Sequence, residues 1–229
     1  MEKDSLQGKA LLDAGCGNGV LTSVLAGFGL QTVGMDQSDS VVRAHLHNTS
    51  DLVHFVQGDV MRPPFRKGAF HLVYSSGVLH HTPDTRKSFN ALTKLVKSGG
   101  RTYVWLYGKS DEDKLGFWDR PSRRYLGRFL RDKITSRLPS RIQYCFFVAL
   151  ALFRKAVYPV VTLLRIRKLK TRKWSEEMAA IYDYYSPPFQ HLHNVREVSE
   201  WFAEEGFENI TLSEAWYAGF GIYGDLKKQ

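Results

Sequence analysis

Leu11-Leu12-Asp13-Ala14-Gly15-Cys16-Gly17-Asn18-Gly19 leads from an apolar stretch into a turn in which every second residue is glycine, with an acid at the end of the apolar part. A helix is expected to start near Asn18. Glycine reaches positive φ at little cost and carries no Cβ, so a ligand can lie against bare backbone amides at the N-terminus of that helix. The stretch reads as strand, nucleotide-cradling turn and helix. A second apolar strand, Gln31-Thr32-Val33-Gly34-Met35, is closed by Asp36. It falls about 20 residues after the turn, where an acid in a doubly wound parallel sheet meets ribose hydroxyls.

The spacing narrows the nucleotide. A dinucleotide fingerprint needs G-x-G-x-x-G, whereas this turn is G-x-G-x-G with Val20 in place of the third glycine. Hydride-transfer cofactors are thereby disfavoured. A carboxylate at Asp13 would repel a pyrophosphate but suits a ligand bearing an ammonium or a sulfonium. With these residues in place, the chain from Gly8 to about Tyr107 resembles the class I S-adenosylmethionine-dependent methyltransferases, in their bacterial small-molecule branch. The family's first motif, D-x-G-x-G-x-G, is matched by Asp13, Gly15, Gly17 and Gly19. Val53-His54-Phe55-Val56-Gln57-Gly58-Asp59-Val60 resembles the third strand and its adenine-binding turn. The segment from Phe70 to His81 resembles the fourth strand with the loop that faces cofactor and substrate.

The resemblance implies S-adenosylmethionine as cofactor and assigns residues to it. Asp13 would lie near the amino group of the methionyl part, Asp36 on the ribose hydroxyls, Gln37 near the adenine, and Asp59 would accept from the exocyclic amine. Ala14, Gly15, Cys16 and Gly17, then Val60, Ser75 and Ser76, complete the implied contacts. Polyamine synthases share such a turn, but they prefer several acids for a cationic substrate, and the loop after the fourth strand has none.

The chain has 229 residues, 43% of them hydrophobic and 13% aromatic, enough for a sizeable core. Its net charge of +9 is concentrated. Between Lys114 and Lys173 there are 17 Lys/Arg against 2 Asp/Glu, so the rest of the chain is net acidic. Two cysteines, Cys16 and Cys145, suggest no disulfide framework and fit a reducing compartment. Met1-Glu2-Lys3-Asp4-Ser5 has no apolar stretch, so no signal peptide is expected and the cytoplasm is the expected location, with a peripheral membrane position as a variant of it.

Apolar runs alternate with helical patterns up to Tyr107, which argues for parallel βαβ units. The expected fold is α/β: a doubly wound, mostly parallel, seven-stranded Rossmann-like sheet with a helical insertion after the fifth strand. Helices are expected near Ser38 and over Thr85 to Val96, the latter stopped by Ser98-Gly99-Gly100, with the fifth strand over Arg101 to Tyr107. The expected division is 1–107 for the cofactor-binding core, 108–190 for a basic, partly apolar insertion, and 191–229 for a final helix, about Val195 to Glu205, and a hairpin of Phe207 to Leu212 with Trp216 to Tyr223. The first strand begins within about ten residues of Met1, whereas family members commonly place helices ahead of it. Two expectations follow: either the gene product is shortened at this end, or the insertion supplies the lid.

Within the insertion, Tyr144 to Leu164 is apolar apart from Arg154-Lys155, Thr162 and Pro159. Two adjacent cations near its middle cost about 2.5–3.5 kcal/mol each on insertion scales, which argues against a membrane span. A helical cap on the active-site rim is one expectation. An interfacial element meeting anionic lipid through Arg165, Arg167, Lys168, Lys170, Arg172 and Lys173, with Phe146, Phe147 and Phe153 buried beside them, is another. Nucleic acid is disfavoured as a partner because the cations alternate with an apolar run; Ser75-Ser76-Gly77-Val78 lacks the Asn/Asp-Pro-Pro-aromatic loop of base-amine methylating enzymes, which disfavours amine methylation of bases but not ribose or other RNA methylation.

The chemistry so implied needs alignment and a dry pocket more than a protein nucleophile. A base helps when the acceptor is a hydroxyl, and His80 and His81 lie on the loop after the fourth strand. The segment from Tyr182 to His193, stiffened by Pro187-Pro188, would hold Asp183, Tyr185 and His191 on a fixed loop; it resembles a substrate-side motif in a bacterial branch of these methyltransferases, which makes Tyr185 a catalytic candidate. A metal at His191 and His193 is not expected, since alternate loop residues without a nearby cysteine or acid make a poor site. The sequence thus points to methylation of a small hydrophobic or lipid-like acceptor at oxygen or carbon. RNA methylation, or a non-catalytic module of this fold binding RNA or membrane through its basic surface, are the alternatives.

Overall fold

The computed structural model describes residues 6–109, 127, 129–163, 173–216 and 219–228. The chain divides into two compact units, one formed by 1–110 with 191–229 and the other by 111–190.

The first unit is a seven-stranded sheet in the order β3-β2-β1-β4-β5-β7-β6. Its strands are β1 (Ala10–Ala14), β2 (Gln31–Asp36), β3 (Val53–Gln57), β4 (Phe70–Ser76), β5 (Val96–Tyr107), β6 (Phe207–Trp216) and β7 (Gly219–Leu226). The first five are parallel, and β7 runs antiparallel between β5 and β6. The helices are α1 (Val20–Ala26), α2 (Ser40–Leu46), α3 (Thr85–Thr93) and, after the second unit, a helix over Val195–Glu204. The buried side chains come from both sides of the chain's midpoint. Leu12, Met35, Val73, Val104 and Leu106 of the strands join Phe89, Phe202 and Ile222 in one cluster, each such side chain contributing about 1.5–3 kcal/mol of burial. Phe89 and Phe202 meet edge to face at 4.8 Å.

Helix starts follow local chemistry. Asp84 caps α3 by accepting from the Lys87 N–H at 2.9 Å. Asn194 and Glu197 form a reciprocal capping box at the start of the last helix. The expected glycine stop of α3 is corrected. The helix ends at Thr93, and Ser98-Gly99-Gly100 lie inside β5, which begins at Val96 rather than Arg101. The register between β4 and β5 shifts between Phe70 and Leu72. There a Cβ on Gly100 would come within 2.6 Å of the His71 carbonyl oxygen. The glycines serve an irregular strand entry, not a helix cap.

The second unit contains α4 (Ser140–Leu163) and α5 (Trp174–Tyr185), with the Val195–Glu204 helix of the first unit numbered α6. Phe147 and Ala151 of α4 are buried with Ile181 of α5. This removes Phe147 from the side chains expected to meet lipid, since it is wholly buried inside the helical unit. Among the described residues, no helix is long and apolar enough to cross a membrane. The basic stretch 164–172 lies outside the described residues.

Candidate cofactor site

The C-terminal ends of β1 to β4 lie along one edge of the sheet and carry the residues expected to hold the cofactor. Gly15, Gly17 and Gly19 all have positive φ, at 87°, 55° and 75°, a conformation that costs L side chains roughly 1–2 kcal/mol. The Gly15 and Cys16 N–H groups both donate to the Met35 carbonyl, at 2.7 and 3.0 Å, which pins the turn to the end of β2. A Cβ on Gly15 would overlap Val78, and one on Gly19 would come within 2.5 Å of Phe55. A Cβ on Gly17 would meet nothing within 4 Å. The outer two glycines answer to internal packing, whereas Gly17 faces open space.

Asp36 ties the second strand to this turn. Its Oδ2 accepts from the Gly17 N–H at 2.8 Å, and its Oδ1 accepts from the Ser38 N–H and hydroxyl at 2.9 and 2.7 Å. Ser40 donates to the Gly17 carbonyl at 2.9 Å. A carboxylate has about four acceptor sites, so room for a ligand hydroxyl remains on Oδ2.

Asp13 is 3% exposed and accepts from the Thr22 hydroxyl at 2.7 Å. Burial, with the Asp36 charge adding to it against the Thr22 hydrogen bond, pushes its carboxyl up to about 6. A cation placed beside it would relieve that destabilised charge. Cys16 is buried, and burial together with the two carboxylates pushes its thiol up to about 12. It is therefore an inert wall of the turn rather than a nucleophile.

The remaining expected contacts are placed as follows. Gln37 is exposed, its carbonyl accepting from Gln57 Nε2 at 3.1 Å. Asp59 is exposed and folds its own turn by accepting from the Met61 N–H at 2.8 Å. Val60 is buried in the core. Ser75 is buried and donates to the Ala14 carbonyl at 2.9 Å, tying β4 to β1, while Ser76 is exposed beside it.

His80 and His81 form a single 3-10 turn, Leu79–His81, after β4. His80 is wholly buried, its ring 4.1 Å from Tyr107 and 4.2 Å from His81. His81 is half-buried. His191 donates its N–H to the His80 carbonyl at 2.9 Å, and its Nε2 lies 3.0 Å from the Thr82 carbonyl. His193 is buried between Glu197 and Thr85, at 3.1 Å from each, and burial lowers its proton affinity. These two histidines brace the loop after β4. Among the described residues, no group of three His, Cys, Asp or Glu is placed to hold a metal. Tyr185 ends α5 in the second unit, where Thr135 donates to its carbonyl at 2.7 Å. Burial raises its phenol, which stays protonated near neutrality and can donate but not act as a base.

Five residues of the site escaped the sequence reading: Thr22 on Asp13, Ser38 on Asp36, Ser40 on Gly17, Val78 against Gly15 and Phe55 against Gly19. Thr22 had a signal, a hydroxyl early in a mostly apolar helix that follows an acid and a glycine turn. The other four follow from the folded backbone.

Residues 12–104 match the methyltransferase domain family. The ubiquinone biosynthesis O-methyltransferase of Erwinia tasmaniensis is 34% identical over 104 residues, 44% of this chain and 43% of that protein. The sterol 24-C-methyltransferase of Pneumocystis carinii is 30% identical over 116 residues, 47% of this chain and 31% of that protein. The chain thus matches less than half the length of either curated relative. Among solved structures, the magnesium protoporphyrin IX methyltransferase of Synechocystis with bound S-adenosylhomocysteine shares the fold, with a TM-score of 0.55 and 16% identity over 98% of this chain and 77% of that one.

Proposed function

We propose that this chain, whose residues 12–104 match the methyltransferase domain family, acts as a class I S-adenosylmethionine-dependent methyltransferase and transfers a methyl group from that cofactor to a small hydrophobic or lipid-like acceptor, at oxygen or carbon. The observation that carries the reading is the buried Asp13 carboxyl, pushed up to about 6, behind a turn whose Gly17 opens on free space. Such a group gains from a neighbouring cation. The two curated relatives are named for O-methylation in ubiquinone biosynthesis and C-methylation of a sterol, which supports an apolar acceptor.

When bound, S-adenosylmethionine supplies a methyl group on a positively charged sulfur, transferred in line with loss of that charge. The chain's own residues bind and orient. Asp13 offsets positive charge behind the glycine turn, Asp36 accepts from the ribose through its remaining lone pair, and Gln37 and Asp59 hold the adenine side. For a hydroxyl acceptor, the half-buried His81 takes the proton, with His80 fixing it from behind through ring contact at 4.2 Å.

The test is calorimetric titration with S-adenosylmethionine and S-adenosylhomocysteine, followed by methyl transfer to a panel of phenolic and lipid-like acceptors. Wild-type binding is expected, abolished in Gly17→Arg and weakened by about tenfold or more in Asp36→Ala. A folded wild-type protein that binds neither compound overturns the reading.

A further inference from the structure

Helix α4 has two apolar faces, and one of them is covered. On the covered side Phe147 meets Tyr182 of α5 edge to face at 4.8 Å. Two turns along, Arg154 reaches the buried carboxylate of Glu177 at 3.1 Å. On the other side Ile142, Phe146, Leu152, Phe153, Val160 and Leu163 are all exposed, Phe153 by 64% and Leu163 by 82%. Cys145, Ala149 and Ala156 fall between them and are exposed as well. These positions recur at steps of three and four residues, so they form one stripe along the helix, about 30 Å long at 1.5 Å per residue.

Charge decides what fits this stripe. From Ser140 to Lys173 the sequence holds nine Lys/Arg and no Asp/Glu. A second copy of the same helix would bring like charge against like charge. A nucleic acid would use the cations but leave the aromatic and aliphatic side chains in water. An anionic bilayer surface takes both, with apolar side chains among the acyl chains and cations at the headgroups. The cations on the helix agree with this: Arg141 and Lys155 are exposed beside the stripe.

We propose that the exposed face of α4 docks, parallel to the surface, on a membrane rich in anionic lipid. This goes beyond the methyl-transfer reading and does not depend on it. The experiment is co-sedimentation of the full chain with vesicles of phosphatidylcholine containing phosphatidylglycerol, and with phosphatidylcholine alone, at low and high salt. Binding to the anionic vesicles is expected, reduced by salt. Phe146→Asp with Phe153→Asp is expected to weaken it on the order of 100-fold, and Arg141→Gln by about fivefold. Both variants alter exposed residues and should keep the far-ultraviolet circular dichroism and cofactor affinity of the parent. Four results overturn the proposal: no sedimentation with anionic vesicles, equal sedimentation of the double Phe variant, a dimer that the double variant breaks without any vesicle binding, or an RNA oligonucleotide bound in place of vesicles.

Discussion

Gly15 and Gly17 share a left-handed backbone conformation, but their surroundings differ and substitution should separate them. Ala at position 17 meets no protein atom within 4 Å. Gly17→Ala is expected to cost about 1–2 kcal/mol of stability from the backbone alone and to weaken S-adenosylmethionine binding clearly, because the methyl group stands in the open space. Ala at position 15 overlaps Val78, so Gly15→Ala should cost about 2–4 kcal/mol. Part of that should return in Gly15→Ala with Val78→Ala, as denaturant unfolding of the four proteins would reveal. Asp13 gives a second expectation. Its carboxyl ionises near 3.8 in the unfolded chain and near 6 in the folded one, so the native state holds the proton more tightly. That contribution to stability is fully present below pH 3.8 and is lost as pH rises through 6, about 3 kcal/mol in all. Asp13→Asn should therefore be more stable than wild type at about pH 8, lose the advantage at about pH 4, and bind cofactor less well throughout. Asp13 and Asp36 were legible as carboxylates beside the glycine turn because their placement is local to two strand ends. Thr22, Ser38 and Ser40, which hold those carboxylates and the turn, act through directions that only the folded backbone supplies.

At the scale of elements, β1 was readable because its Ala10-Leu11-Leu12 run is apolar and largely buried, whereas β2 and β4 mix apolar with polar residues and were readable from the motifs that follow them. Ser98-Gly99-Gly100 misled because a glycine pair after an amphipathic helix looks like a C-terminal cap. The requirement for Gly100 comes instead from the His71 carbonyl on a neighbouring strand. The final hairpin was placed with the wrong division: Trp216, expected to open the second strand, ends β6, and β7 is Gly219–Leu226, with Trp216 paired to Gly219 and Phe207 to Leu226. In the helical unit, the periodicity over Tyr144 to Leu164 gave the helix but not which face is covered, since both faces are apolar. Phe147 settles that question and offers a test. It is wholly buried against Ile181 and Tyr182, so Phe147→Ala should cost about 3–5 kcal/mol. Hydrogen exchange should then show faster exchange across α4 and α5, with the amides of β1, β2 and β4 unchanged.

For the whole molecule, the sharpest compositional signal was the concentration of positive charge between Lys114 and Lys173, which marks an insertion without giving its shape. The fold explains how the sheet accommodates it. The Tyr107 carbonyl accepts from the His193 N–H at 2.9 Å, and the His193 carbonyl accepts from the Lys109 N–H at 2.7 Å. Gly108 and His193 thereby form a parallel bridge, and the chain leaves and re-enters the first unit at neighbouring points. Closing that gap needs only a loop of ordinary length, about 2–6 residues, and loop-closure entropy is small at that length. Replacing 111–190 by a short Gly/Ser linker is therefore expected to leave a protein that melts cooperatively and binds S-adenosylmethionine within a few-fold of the parent. The same protein should lose vesicle binding, because α4 goes with the deleted segment. Calorimetric melting and cofactor titration of the shortened chain decide the matter. A shortened chain that melts without cooperativity would mean that the core built around Leu12, Phe89 and Phe202 draws part of its stability from the helical unit, and that cofactor binding belongs to the chain as a whole.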